Sequence, residues 1–120
     1  MKVIRLLSAV LMLWFSGTCF AEADAERHKN GCDGGDVFSC ALLGSMYQWG
    51  DGVGQDSLKA IEYYEKGCDG GGGYSCLMLG GMYEEGLGVK QSDSQALKFL
   101  GLACDLELEV GCAEFEKLKK

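Results

Sequence analysis

The 120-residue chain carries 11 basic and 18 acidic residues, a formal charge of −7 with a pI near 4.6, so it is one small domain at most and has the wrong sign for binding phosphate backbones. Nucleic acid is therefore not an expected partner. Seven cysteines, 19 glycines and no proline fit neither collagen nor a Pro-rich linker, and suit a small helical scaffold with glycine turns and disulfides.

Residues 1–21 open with Lys2 and Arg5, continue through the apolar stretch Leu6 to Phe15 and end in small residues around Ala21, Ala23 and Ala25. This is the charged, apolar, small-residue order of a secretory signal peptide, with cleavage expected after Ala21. Ten apolar residues are too short for a bilayer span of about 20, so no stable membrane insertion is expected after cleavage. A lipid-anchored alternative would modify Cys19, but Ser16 stands where a lipobox carries leucine. Removing 1–21 leaves 9 basic and 18 acidic residues, a net of −9, and six cysteines. An even count in an exported chain of this size reads as a disulfide framework and a secreted or periplasmic location.

Cys32 and Cys40, Cys68 and Cys76, and Cys104 and Cys112 are each eight residues apart, and the three pairs recur on a 36-residue period. Residues 40–75 laid over 76–111 match without a gap at Leu43/Leu79, Gly44/Gly80, Met46/Met82, Tyr47/Tyr83, Gly50/Gly86, Gly52/Gly88, Val53/Val89, Gln55/Gln91 and Ala60/Ala96, besides the cysteines and Asp69/Asp105. Repeats of this period build solenoids. The expected domain is 22–120, divided into a partial unit 22–39, repeats 40–75 and 76–111, and a partial helix 112–120.

Each repeat alternates two amphipathic segments. Leu43, Met46 and Tyr47, and then Leu79, Met82 and Tyr83, recur at helical steps and mark A helices. The segments 57–68 and 93–104 mark B helices, with Leu58, Ile61 and Tyr64, and then Ala96, Leu97 and Leu100, expected on the buried face. Asp56 can cap the first B helix, and Ser92 with Gln95 has capping-box spacing before the second. Gly50 and Gly86 are expected to end the A helices. Gly44 and Gly80 sit inside helices, where glycine costs about 1 kcal/mol against alanine. The expected reason is close approach to the B helix at Ala60 and Ala96.

The Leu-Gly-x-x-Tyr core, the following Gly-x-Gly-Val and the later alanine resemble the Sel1-like repeat, a relative of the tetratricopeptide repeat. With cysteines eight apart, the chain resembles a short member of the Helicobacter cysteine-rich protein family. The resemblance implies an all-α solenoid of helix pairs and one disulfide per repeat: Cys32 with Cys40, Cys68 with Cys76, and Cys104 with Cys112. It also implies a β-lactamase or penicillin-binding activity, with slow hydrolysis of penicillin-type compounds. The residues lend that activity little: Ser-x-x-Lys, Ser-Asp-Asn and Lys-Thr-Gly are absent, and Ser92-Asp93-Ser94 and Ser94-x-x-x-Lys98 are near misses.

Other chemistry finds few candidates. Zinc sites favour Cys-x2-4-Cys pairs rather than these wider ones, so neither a metal nor another cofactor is expected. His28 is the single histidine and reads as a solvated residue rather than a general base. The run Gly70 to Gly73 reads as an inter-helix turn, because no Gly-Lys-Ser/Thr follows and the aligned loop is Leu106 to Glu109.

Stacked A helices line a concave face in such solenoids. By that register Ala41, Ser45, Gln48 and Trp49, with Leu77, Gly81, Glu84 and Glu85, face the groove, and Ser45, Gln48, Trp49, Gly81, Glu84 and Glu85 are the candidate ligand-binding residues. Trp49 is either a ligand anchor or an end cap on the N-terminal helix. Glu84 and Glu85 favour a basic ligand. The expected function is a monomeric binding scaffold for a peptide, a protein or a cell-wall-derived ligand.

Overall fold

The computed structural model describes residues 23–120, and the proposed signal segment and Cys19 lie outside them. Among the described residues six α-helices follow one another: α1 over 23–33, α2 Val37–Trp49, α3 Ser57–Asp69, α4 Gly73–Glu85, α5 Asp93–Asp105 and α6 Glu109–Lys119. There is no strand among the described residues. α2, α4 and α6 are A helices, and α1, α3 and α5 are B helices. α2 packs on α3 and α4 on α5, while α2, α4 and α6 touch in series, giving the expected two-layer helical stack.

Local chemistry sets the helix ends. The Asp56 carboxylate accepts from the Leu58 and Lys59 amides at 3.1 Å, and the Ser92 hydroxyl accepts from the Gln95 amide at 3.2 Å. Only half of the expected capping box forms, because the Ser92 amide donates to the Tyr83 carbonyl instead, as the Asp56 amide does to Tyr47. Gly50 and Gly86 close α2 and α4 in the left-handed region, at φ 67° and 71°, where a side chain would be strained. The turn between α3 and α4 is shorter than the glycine run Gly70 to Gly73. Gly73 already begins α4, so Cys76 sits in its first turn.

All three disulfides form between cysteines eight apart, joining the end of each B helix to the start of the next A helix with Cα separations of 4.4 to 4.7 Å. That closeness explains a pattern the repeat comparison passes over. The residues just before paired cysteines face each other as Gly31/Ser39, Gly67/Ser75 and Ala103/Gly111. A Cβ on Gly31 would lie 2.5 Å from the Ser39 hydroxyl, one on Gly67 would collide with Ser75, and one on Gly111 would lie 2.6 Å from the Ala103 Cβ. Between helices clamped this tightly only one member of each pair can carry a side chain, and in the third copy the two have exchanged size.

The core is continuous through Ala60, Ile61, Tyr64, Leu79, Met82 and Phe99, with Ala25, Cys32, Leu43 and Tyr63 at the N-terminal end. Two sequence expectations are corrected here. Leu58 is 67% exposed, because Ile61 and Tyr64 already fill the inward face of α3. The close approach at Gly44 is made by the Tyr64 ring, one turn beyond Ala60, whereas at Gly80 the Leu100 side chain comes nearest and the Ala96 carbonyl oxygen also lies 3.4 Å from where a Cβ would sit; both alanines are themselves fully buried. Tyr47 stacks on Tyr63 with centroids 5.7 Å apart, and Tyr83 on Phe99 at 5.6 Å.

Equivalent serines differ in how their hydroxyls are satisfied. Ser39 donates to the Asp36 carboxylate at 2.9 Å. Ser75, fully buried, has no partner, because its equivalent capping residue is Gly72. Ser39→Ala is therefore expected to lose about 1 kcal/mol and Ser75→Ala to be neutral or slightly stabilising. Urea denaturation of both variants checks this, and equal losses would show that Ser75 has a partner after all.

Candidate functional site

The A helices present the same register to one side of the molecule, and two clefts open there. The first, of about 330 Å³, is lined by Gln48 and Trp49 of α2, by Leu77, Met78, Gly81, Glu84 and Glu85 of α4, and by Glu114 of α6 among others. Five of the six candidate ligand residues thus meet in one place. Ser45 is the exception. With Ala41 it lines a second cleft of about 510 Å³, one helical turn nearer the start of α2, formed with Val37, Phe38, Leu42, Tyr74 and Ser75.

Trp49 is 67% exposed, so it is not a buried cap on the N-terminal helix. Its large apolar surface stays free at the mouth of the first cleft because Gly50 ends the helix immediately after it. Glu84 is half-buried and Glu85 exposed. Neither carboxylate has an ion-pair partner among the described residues, whereas Glu114 lies 4.0 Å from Lys117. The lysines of α3 and α5 are engaged elsewhere: Lys59 lies over Tyr47, Lys66 over Tyr63 and Lys98 over Phe99. Gly81 opens the floor, since a Cβ there would meet nothing within 4 Å.

Gln48 is buried, in contrast to a free groove residue. Its Oε1 accepts from the Tyr64 hydroxyl at 2.8 Å, and its backbone carbonyl accepts from the Gln55 Nε2 at 3.0 Å. It sets the wall that carries Trp49. Burial, reinforced by Tyr74, holds the Tyr64 phenol well above its usual pKa, opposed in small part by the Ser45 side chain. At neutral pH this phenol is a donor and no base for Ser45. The Ser75 hydroxyl is sealed from solvent without a hydrogen-bond partner. No cluster of three or more metal-ligating side chains occurs among the described residues.

The apolar cleft was not anticipated from sequence. Its signal is the ladder Phe38, Tyr74 and Val110, one per A helix at 36-residue intervals, all three exposed.

The Sel1 repeat model matches residues 37–72 and 73–108, one A and B helix pair each. The chain is a Sel1 repeat protein. Among solved structures, this Sel1 repeat protein is similar to Helicobacter pylori cysteine-rich protein B, at 32% identity over 74% of this chain and 67% of that one, with a TM-score of 0.72. It shares its fold with a Sel1 repeat protein of Oxalobacter formigenes, at 19% identity over 76% of this chain and a TM-score of 0.71. The same holds for the protective antigen c5321 of uropathogenic Escherichia coli, at 22% identity over 78% and a TM-score of 0.73. The chain covers only 36% and 20% of those last two. Among curated proteins none matches the sequence. Sel1 repeats generally mediate protein–protein interactions, and this disulfide-rich scaffold fits such a role. The disulfides are consistent with an extracellular or periplasmic setting, and no helix among the described residues is long and apolar enough to cross a membrane.

Proposed function

We propose that this Sel1 repeat protein, exported by the segment 1–21, binds a basic peptide, a basic protein segment or an amine-bearing cell-wall-derived ligand on its A-helix face. The observation that carries this reading is an exposed Trp49 beside two carboxylates, Glu84 and Glu85, that have no ion-pair partner among the described residues, in one cleft. An indole face and carboxylates together attract an ammonium or guanidinium group. Trp49 is the anchor, Glu84 and Glu85 supply the charge, Gly81 leaves room, and Gln48 is a positioning residue. Ser45 serves the adjoining cleft. Hydrolysis of penicillin-type compounds lacks comparable support, since neither Ser45 nor Ser75 is set against a general base.

The test is fluorescence anisotropy of labelled lysine-containing and glutamate-containing peptides against oxidised protein. Lysine peptides are expected to bind preferentially and to weaken with added salt. Glu84→Gln with Glu85→Gln should reduce that binding by about fivefold or more, and Trp49→Ala by about tenfold. Equal binding of both peptide sets, unchanged in these variants, would refute the assignment.

A further inference from the structure

The apolar cleft between the first turns of α2 and α4 has no part in cation recognition, yet it is the larger of the two. Phe38 and Tyr74 stand at its rim, 68% and 51% exposed. Aromatic rings held in water at equivalent positions of successive helices mark a contact surface.

The two clefts share the same two helices, which run parallel from one to the other. From Tyr74 to Gly81 the α4 face advances about 10 Å at 1.5 Å per residue. An extended or polyproline chain spans about the same distance in three residues. The helix N-termini flank the apolar cleft, whereas the C-termini and Glu84 and Glu85 flank the acidic one. The potential therefore becomes more negative along the groove, and a cation is favoured at one end only.

We infer that the apolar cleft is the second half of a single peptide site. It takes an aliphatic or aromatic side chain three to four residues away from the lysine or arginine that meets Glu84 and Glu85. This rests on the basic-peptide reading above and adds to it a spacing rule. Charge complementarity excludes an acidic occupant from the cleft of Glu84 and Glu85, and the shared α2 and α4 walls, at the distance given above, make the apolar cleft the place for the same ligand's apolar side chain.

The experiment uses blocked, fluorescein-labelled Gly/Ser peptides bearing one lysine and one leucine at spacings of one to six residues, titrated into the oxidised full chain. Affinity is expected to peak at a spacing of three or four, at least fivefold above spacing one and above a peptide with serine for leucine. Phe38→Ser with Tyr74→Ser, both exposed and checked for native helicity by circular dichroism, should flatten this profile and leave the lysine dependence in place. Lysine-dependent binding with a flat profile, or a peak unchanged in the double variant, overturns the inference while the basic-peptide reading stands. Concentration-dependent dimerisation abolished by the double variant, with no effect on the peptide profile, overturns it in favour of a second copy on this face. Absence of binding by every peptide removes both readings.

Discussion

Reduction of the three disulfides is expected to unfold the protein at 37 °C, or to move its urea midpoint far below that of the oxidised form. Each bond closes a loop of about nine residues, which in the chain-entropy model is worth roughly 2.5 kcal/mol. Three such constraints are comparable with the whole stability of a small domain, about 5 to 15 kcal/mol. The dependence is strongest where the two repeats meet, because α3 contacts α4 less extensively than either helix contacts its own repeat partner. There Cys68–Cys76 holds the junction, and Cys76 is fully buried. Cys68→Ala with Cys76→Ala should therefore lose about 2.5 kcal/mol from the lost closure alone. Urea denaturation by circular dichroism, with and without reductant, measures both effects. An unchanged midpoint on full reduction would mean that helix packing alone carries the fold.

Gly44→Ala is expected to destabilise by about 1 to 3 kcal/mol, and Gly44→Leu by more. A Cβ at this position would lie 2.7 Å from two carbons of the Tyr64 ring. The ring has no room to yield, being fully buried and tied through its hydroxyl to Gln48 at 2.8 Å. Gly80 is crowded in the same way by Leu100 at 2.7 Å. Gly81, one residue further along the same helix, has open space where its Cβ would be, so Gly81→Ala should gain about 0.5 to 1 kcal/mol. Melting curves of the two alanine variants should shift in opposite directions. A shift of the same sign in both would mean that the packing of α2 on α3 differs from that described.

The displacement of the Gly44 contact from Ala60 to Tyr64 shows where sequence reasoning reached its limit. Repetition at 36-residue intervals exposed the helix pairs, their glycine stops and their caps, because those depend on a few neighbouring residues whose backbone preferences are local. It also exposed Trp49, Glu84 and Glu85 as outward residues, since helical period assigns a face. Which B-helix side chain meets a given glycine depends on the rise and crossing of two helices, and no period within one helix contains that. Leu58 was misplaced for the same reason: it lies on an apolar stripe whose edge the partner helix does not cover. The reciprocal small residues before the cysteines had a signal in Gly31, Gly67 and Gly111, but it has meaning only once the helices are known to be clamped at 4.4 to 4.7 Å.

By itself, then, the sequence determined the helical class, the repeat period and the cysteine spacing, all of which follow from local propensity and periodicity. Only the tertiary structure decided that the groove holds two clefts of different chemistry, that Ser45 belongs to one and Trp49 to the other, and that Gln48 is spent on Tyr64. Those facts arise where successive helices pack on one another, and a concavity between helices is a property of their packing.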